Sequence, residues 1–362
     1  MSRQVSLRYL SLACVCLWII GETLVAQRAA REIRLMQWNV ENLFDCRHDE
    51  GKNDYEFLPD GAKQWTEPRL RNKLKQIAEV ISFAGEEDWP AFIGLAEVEN
   101  DSVLLRLMSQ TALKSADYRY LLSQSLDERG IEVALLYRSD CFSPIRIYDL
   151  PIRLPDSSCV ATRNILYTAG LLPSGKQLHL FICHFPSRRD GSTLGHQRRQ
   201  AATQTLRAAI DSIYRTDEAP LIVAMGDFNA EPSELSNKHL GLCFPKGEAK
   251  RVALGKGETD TRTDHRLIAL SDLVEGHYPS GSYLFQGVWS HIDQIFVSSA
   301  TLEGTGFKIL PQSFRSIVAP SAVESRNGNS AQIRPKRTFL GNHYHGGVSD
   351  HLPIIVDARI GL

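Results

Sequence analysis

The sequence predicts an α/β fold with one domain, in which two β-sheets face each other and helices cover their outer sides. Strand-like apolar runs and amphipathic helical segments occur in two successive groups, over residues 32–183 and 197–358. No linker, low-complexity tract or fixed-period repeat separates the two groups. A chain of 362 residues with 43% hydrophobic residues is also long enough to bury a substantial core.

The individual elements follow from the periodicity of the apolar residues. Strands are predicted at Glu32–Trp38, Ala91–Ala96, Ile131–Tyr137, Ile165–Leu172, Leu178–Cys183, Leu221–Met225, His291–Val297 and Ile354–Ala358. Helices are predicted from Thr66 to Ile81, over residues 101–114, and at Gln197–Tyr214. A loop-rich region at 232–288 and a polar insertion at 320–346 complete the chain.

A secretory signal peptide is predicted over residues 1–26. Arg3 and Arg8 form its basic start, an apolar stretch follows from Tyr9 to Ile20, and Ala26 ends a suitable cleavage site. The apolar stretch is too short for a transmembrane helix, so we expect a periplasmic or secreted protein without stable membrane insertion. A lipid anchor at Cys14 is the disfavoured alternative, because the residues before it make a poor lipoprotein signal.

The overall charge excludes binding of nucleic acid by a uniformly basic surface. The net charge is −1, so there is no bulk electrostatic attraction to nucleic acid, and a polyanion would have to be held by local basic loops. The cysteines form no Cys-x-x-Cys pair, which argues against a zinc site.

Polar side chains gather at the predicted ends of the strands. After the apolar strand Leu221–Met225 come Asp227 and Asn229, which are two residues apart and lie on the same side of an extended backbone. Strand ends are where open α/β sheets place their ligands. Other strand ends carry Asn39, Glu97, Glu132, His184, Asp293, Asp350 and His351.

These side chains fit hydrolysis beside a metal ion. Oxygen ligands such as Asn39, Glu97 and Asp350 suit Mg²⁺ or Mn²⁺. His184 and His351 can each pair with a carboxylate and act as acid or base. No serine or cysteine lies in a strained nucleophile elbow, so the residues indicate attack by water on a phosphoester. Each residue alone also has a structural explanation, and the prediction depends on their joint occurrence.

Several segments resemble motifs of the endonuclease/exonuclease/phosphatase superfamily, in the order in which that family has them. These segments are Met36–Asn42, Leu95–Glu99, Ile182–Phe185, Met225–Ala230, His291–Gln294 and Ser349–Pro353. The resemblance implies a four-layer α/β sandwich of two facing mixed sheets, which agrees with the two groups of elements. It also implies that residues 31–362 form a catalytic domain for metal-dependent hydrolysis of phosphoester bonds.

The resemblance implies a role for each metal-facing residue. Glu97 would be the main metal ligand, Asn39 would lie beside it, and Asp350 would close the site. Asp227 and Asn229 would hold the attacking water and a phosphate oxygen, and a second metal ion at Asp227 stays open.

The histidines and one arginine receive their roles in the same way. His351, oriented by Asp293, would be the base or a hydrogen-bond donor to the transition state. His184 resembles the second catalytic histidine of the deoxyribonuclease branch, and Glu132 falls where its carboxylate partner is expected. Arg163 resembles the phosphate-contacting arginine of that branch, with a solvated loop arginine as the alternative.

The branch within the family is predicted from the surrounding sequence. Asn39–Asp45 differs from the Gly-Leu/Ile-Arg run of apurinic endonucleases, and with His184–Arg189 and Ser282–Trp289 it resembles a secreted bacterial subgroup of nuclease-like proteins. Arg188 would position phosphates of a polynucleotide, or else belong to a solvated helix face. We therefore expect a monomeric, non-specific endonuclease acting on nucleic acid. A phosphatase or sphingomyelinase-like phospholipase with the same site is the alternative, and a binding module without catalysis is disfavoured.

Overall fold

The computed structural model describes residues 30–154, 158–188, 193–237, 239–256, 264–304, 306–326 and 329–361, so the predicted signal peptide lies outside the described residues. The strands are β1 (Arg31–Leu43), β2 (Phe92–Val98), β3 (Tyr118–Leu122), β4 (Glu132–Arg138), β5 (Ser143–Leu150), β6 (Ile165–Leu171), β7 (Gln177–His184), β8 (Leu221–Asp227), β9 (Ile268–Ala269), β10 (Tyr283–Phe285), β11 (Val288–Ser290), β12 (Asp293–Val297), β13 (Phe307–Ser316), β14 (Val323–Arg326), β15 (Asn329–Pro335), β16 (Phe339–Leu340), β17 (His343–Tyr344) and β18 (Ile354–Ile360). The helices are α1 (Glu67–Gly85), α2 (Asp101–Ser109), α3 (Thr193–Tyr214), α4 (Pro232–Leu235), α5 (Lys246–Ala253) and α6 (Ala300–Glu303). None of the helices in these described ranges is long and apolar enough to cross a lipid bilayer.

Two six-stranded sheets form the body of the protein. The first has the strand order β13-β18-β1-β2-β4-β3, and the second has the order β5-β6-β7-β8-β12-β9. Each sheet contains one parallel pair, β1 with β2 and β7 with β8, among antiparallel neighbours. Both sheets are therefore mixed, as predicted.

Alternating side chains of the central strands divide between separate cores, because successive strand residues point to opposite faces. In β1, Leu35 packs between the two sheets, whereas Met36 packs on the outer side with residues of α1 and α2. In β7, Leu180 faces the core between the sheets and Phe181 packs against α3. The layers are therefore helix, sheet, sheet and helix, which confirms the predicted four-layer sandwich.

The central strands and the long helices occur where the sequence predicts them, with shifted ends. Strand β8 continues through Gly226 to Asp227 instead of ending at Met225. Only glycine fits at position 226, because an added Cβ would lie 2.1 Å from the carbonyl oxygen of Cys183. The helix predicted over 101–114 ends at Ser109, and a short 3-10 turn follows at Ala112–Ala116. The sequence does not predict β3, β5, β9 or β13, which are the edges of the two sheets.

The polar insertion at 320–346 is not a plain loop. It forms the hairpin of β14 with β15 and the hairpin of β16 with β17. Phe339 of the second hairpin packs against Trp65 with ring centroids 5.7 Å apart, and Tyr344 contacts the same Trp65 ring at 6.3 Å. The second hairpin is therefore anchored on the first sheet's side of the domain.

Candidate active site

The second sheet contributes a row of three titratable side chains. His184 of β7 lies opposite Asp227 of β8, and Asp227 lies opposite Asp293 of β12. All three are buried, with exposed fractions of 3%, 2% and 0%. Burying ionisable groups is costly unless they are paired, so this row marks a functional site.

The first sheet contributes its residues through irregular strand ends. The register of β1 with β2 shifts between Asn39 and Leu43, and that of β2 with β4 shifts between Ala96 and Val98. Glu97, at the second shift, has a φ of 65°, a conformation that non-glycine residues seldom adopt. Bulges re-aim side chains near active sites, and strain of this kind collects there. The irregularity turns Glu97 toward the row on the second sheet.

Asn39 connects the two sheets at the centre of the site. Its Nδ2 donates to Glu97 Oε1 at 3.3 Å and to Asp227 Oδ2 at 3.1 Å. The other oxygen of Asp227 accepts the backbone N–H of Asn229 at 2.9 Å, and the backbone N–H of Asn42 donates to Glu97 Oε2 at 2.8 Å. The structure therefore brings the predicted residues Asn39, Glu97 and Asp227 into direct contact.

His351 is held by a carboxylate on the side away from Asp227. Its Nδ1 lies 2.6 Å from Asp293 Oδ2, while its Nε2 lies 3.9 Å from both Asp227 Oδ2 and Asp350 Oδ1. Burial by itself would lower the pKa of His351, but the charge and hydrogen bond of Asp293, together with the charges of Asp350 and Asp227, outweigh burial and hold this pKa well above its ordinary value. His351 is therefore a cation at neutral pH, with its free nitrogen aimed into the site.

His184 faces the same carboxylate without such support. Its Nε2 lies 3.8 Å from Asp227 Oδ2 and 3.8 Å from Glu97 Oε1, while its Nδ1 is buried and has no hydrogen-bond partner. Burial, and then the positive charge of Arg163, hold the pKa of His184 well below its ordinary value. His184 is therefore neutral at physiological pH.

Glu132 does not pair with His184, in contrast to what the resemblance implies. Its carboxylate accepts hydrogen bonds from Ser123 Oγ at 2.5 Å, and from the backbone N–H and the Oγ of Ser125 at 2.8 and 2.6 Å. Both oxygens are therefore used by the segment that follows β3. The predicted pairing is absent because these serines occupy the carboxylate of Glu132, while Nδ1 of His184 has no hydrogen-bond partner.

Arg163 and Asn229 also differ from their implied roles. Arg163 is buried, and donates to Asp127 Oδ2 and to the carbonyl of Phe185, each at 3.0 Å. The side-chain amide of Asn229 donates to the same carbonyl at 2.9 Å. Both side chains therefore hold the loop after β7, and Nε of Arg163 is buried without a hydrogen-bond partner. Arg188 is 46% exposed and donates to the carbonyl of Asn229 at 2.7 Å, so it lies at the rim of the site.

The donor set fits a hard divalent cation. Among the described residues, the acidic and histidine group with ligand atoms within 4.8 Å of one another consists of Asp227, Asp293 and His351. Asp293 and His351 are hydrogen-bonded to each other at 2.6 Å, which leaves Asp227 to offer an oxygen atom. The predicted ligands Glu97 and Asp350 are not in this group; Glu97 lies 3.8 Å from Nε2 of His184, and Asp350 lies 3.9 Å from Nε2 of His351. Burial, and then the charge of Asp293, raise the pKa of Asp227 to about 7. A bound cation would reverse this shift, as metal ions do for neighbouring carboxylates.

Several supporting residues receive no role from the sequence. Ser282 Oγ donates to Asp293 Oδ2 at 2.6 Å, and Ser349 Oγ donates to the carbonyl of Asn39 at 2.6 Å. The ring of Tyr283 packs on that of His351 with centroids 4.7 Å apart. These residues lie in or beside motif segments, but their contacts join distant parts of the chain and cannot be inferred from spacing.

The fold and the site together define a class of protein. Buried carboxylates and histidines lie together at the ends of the central strands of both sheets. Such a group of side chains is typical of a metal-assisted phosphoester hydrolase. Residues 34–359 match the profile of the Endonuclease/Exonuclease/phosphatase family. The chain belongs to this family of phosphoester-hydrolysing enzymes, whose members use divalent metals.

Solved structures share the fold at low sequence identity. A mannosyl-6-phosphatase from Bacteroides thetaiotaomicron VPI-5482 has a TM-score of 0.54 and 15% identity, covering 90% of this chain and 99% of that chain. The human Nocturnin catalytic domain with bound sulfate has a TM-score of 0.53 and 15% identity, with coverages of 92% and 95%. D. rerio TDP2 complexed with single strand DNA product has a TM-score of 0.52 and 13% identity, with coverages of 90% and 98%. No curated protein sequence matches the chain.

Proposed function

We propose that the protein is a periplasmic or secreted phosphodiesterase that uses Mg²⁺ or Mn²⁺ and cleaves nucleic acids as a non-specific endonuclease. The observation that carries this proposal is the placement of two buried histidines against one oxygen of Asp227: His351, with Asp293 on its Nδ1, and His184, whose Nδ1 has no partner. Groups whose pKa values are pushed apart in this way take different parts in acid–base chemistry. The signal-peptide pattern at residues 1–26 supports export.

Each residue has a part in the proposed reaction. Glu97 and Asp350, with Asn39 beside them, would hold the cation, which when bound supplies charge neutralisation at the phosphate. Asp227 orients the attacking water and takes up its proton. Rotation of the Asn39 amide is needed before its oxygen can face the cation, because its Nδ2 now points at Glu97.

The histidines act on the phosphate itself. Protonated His351 donates a hydrogen bond from Nε2 to the phosphate oxygen on which negative charge develops in the transition state. Asp293 fixes the orientation of the His351 ring. Neutral His184 donates one uncharged hydrogen bond from Nε2, and Arg188 positions a neighbouring phosphate from the rim. The charge on His351 makes its contribution the larger of the two.

A phosphatase or a sphingomyelinase-like phospholipase is the second candidate. The positions of Glu132 and Arg163 favour it, since neither residue takes the role that the deoxyribonuclease branch implies. The same catalytic cluster would serve either substrate class. The choice between them therefore depends on what the rim of the site binds.

A substrate panel on the mature protein tests the proposal. Plasmid DNA, RNA, sphingomyelin and p-nitrophenyl phosphate are incubated with the enzyme, once with Mg²⁺ and once with chelator. We expect internal cleavage of plasmid only with Mg²⁺, and no cleavage by a folded Asp227→Ala variant. Full activity of Asp227→Ala would contradict the proposed mechanism, and cleavage of sphingomyelin or the monoester alone would select the second candidate. N-terminal sequencing and sedimentation test cleavage after Ala26 and the monomeric state.

A further inference from the structure

A pocket of about 210 Å³ lies beside Asp350, outside the carboxylate cluster. Two separate hairpin regions build its walls: the turn between β10 and β11, and the insertion at 320–346. The lining residues that matter here are Leu284, Gln286, Arg334, Pro335, Arg337 and Leu340. We call this space the insertion pocket.

We infer that the insertion pocket binds a single nucleoside unit of the substrate beside the scissile phosphate, and that Arg337 is the specificity-determining residue. The inference rests on the proposed function and gives a role to the insertion. It also predicts that the enzyme prefers phosphodiesters carrying a nucleoside over simple diesters.

Arg337 connects the pocket to the catalytic cluster. Its Nη2 lies 3.7 Å from Asp350 Oδ2. Asp350 in turn lies 3.9 Å from Nε2 of His351, on whose ring Tyr283 packs. The Arg337 side chain is still 33% exposed, so part of the guanidinium remains accessible to a ligand. A group bound at Arg337 would therefore lie next to the reacting phosphate.

The insertion holds Arg337 in place through the next residue. The backbone N–H of Thr338 donates to Glu41 Oε2 at 2.6 Å, and Thr338 Oγ1 accepts from Lys73 Nζ at 2.8 Å. Thr338 and Lys73 are each 1% exposed. Arg337 thus directly precedes a residue fixed to β1 and α1, and the pocket wall is positioned in advance of binding.

The size and lining of the pocket favour one flat ring with an attached sugar. Its volume is below the roughly 300 Å³ at which pockets for drug-sized ligands begin, so it holds one unit of a longer substrate. Leu284, Pro335 and Leu340 offer apolar contact. The guanidinium of Arg334 is paired with Glu324 of the lining at 2.7 Å, and the planes of Arg334 and Arg337 can stack on a base. Gln286 offers a side-chain amide that can pair with a base edge. Two arginines make the same space unsuitable for a lipid tail.

The test compares two diesters with the same leaving group. The substrates are the p-nitrophenyl ester of thymidine 5′-monophosphate, which carries a nucleoside, and bis(p-nitrophenyl) phosphate, which does not. Arg337→Gln should lower kcat/KM for the nucleotide ester by about 10- to 100-fold, the effect of one charge-assisted contact, mainly through KM. The loss for the simple diester should be smaller by at least about tenfold, because only the contact of Arg337 with Asp350 serves both substrates. Arg359→Gln, which removes an exposed charge on β18, is the matched control and should change neither rate.

Two further measurements keep the inference falsifiable. Leu340 is 46% exposed, so the Leu340→Glu variant should fold. It should lower kcat/KM for the nucleotide ester and leave kcat/KM for the simple diester largely unchanged. Calorimetric binding of thymidine 5′-monophosphate should be at least about tenfold weaker for Arg337→Gln than for the unaltered protein. Equal losses on both esters, or unchanged mononucleotide binding, would overturn the inference. Selective mononucleotide binding without any hydrolysis would instead refute the proposed function and leave the pocket assignment intact.

Discussion

His351 and His184 approach the same oxygen of Asp227 from different sheets, and their surroundings are opposite. His351 precedes β18 of the first sheet and has Asp293 at 2.6 Å behind its ring. His184 ends β7 of the second sheet, and its Nδ1 is buried without a partner. The pKa of His351 therefore lies well above its ordinary value, and that of His184 lies well below it, chiefly because of burial.

This difference shows how one site obtains two functions from one residue type. Burial acts on both rings in the same direction, and the partner on Nδ1 decides which ring stays charged. In the proposed reaction, a cation and a neutral donor would act on the same phosphate over a wide pH range.

Removal of the charged histidine should cost the most. His351→Gln should lower kcat by about 10³- to 10⁴-fold, because it removes a positioned charged donor. Initial rates of plasmid cleavage at neutral pH measure the loss, with the exposed His343→Gln as control. A loss below about tenfold would show that His351 is not part of the reaction.

Removal of the neutral histidine should cost less. His184→Ala should lower kcat by about 10²-fold, and His184→Gln should recover part of this loss because the amide is also a neutral donor. The same rate assay gives the ranking. If His184→Ala were more damaging than His351→Gln, the assigned roles would have to be exchanged.

The carboxylate behind His351 should control the alkaline limb of the pH profile. Asp293 raises the pKa of His351, so activity that needs the protonated ring is lost only as the pH rises through that high value. Asp293→Asn should lower the pKa of His351 and so move this limb to lower pH. On the alkaline side of the limb, each unit by which this pKa falls should lower the rate about tenfold. The measurement is kcat/KM against pH with saturating Mg²⁺. An unshifted limb would separate Asp293 from the titration of His351.

The smallest effect should appear in stability, measured with chelator present. The lowered pKa of His184 gives stability that is present above pH 6.5 and lost as the pH falls. The raised pKa of His351 gives stability that is present below pH 6.5 and lost as the pH rises. His184→Gln should therefore flatten the acid side of a plot of Tm against pH, and His351→Gln the alkaline side. The reverse pattern would contradict the assigned pKa directions.

The sequence predicts the centre of this fold better than its edges. Central strands such as Leu221–Asp227 are buried on both faces and form unmistakable apolar runs. The edge strand Ser143–Leu150 exposes Ile145, Ile147 and Tyr148 by more than half, so its side chains do not alternate between buried and exposed. Another edge strand, Ile268–Ala269, is buried but has only two residues, which is too short for a recognisable pattern.

The candidate site divides in a similar way. Residues inside motifs, such as His184, Asp227 and Asp293, come together because strand register places them opposite one another at the ends of central strands. The pairing of Glu132 fails because it depends on where the segment carrying Ser123 folds. Arg337 lies in an insertion without a motif, and only the tertiary structure reveals that it contacts Asp350.

The central claim is that Glu97 and Asp350 share one divalent cation that the reaction needs. Titration with Mn²⁺, followed by electron paramagnetic resonance, tests this directly in the unaltered protein and in Glu97→Gln and Asp350→Asn. We predict saturable Mn²⁺ binding that is weaker by more than about tenfold in each variant, with a parallel loss of diester hydrolysis. Unchanged Mn²⁺ affinity in either variant would contradict the account.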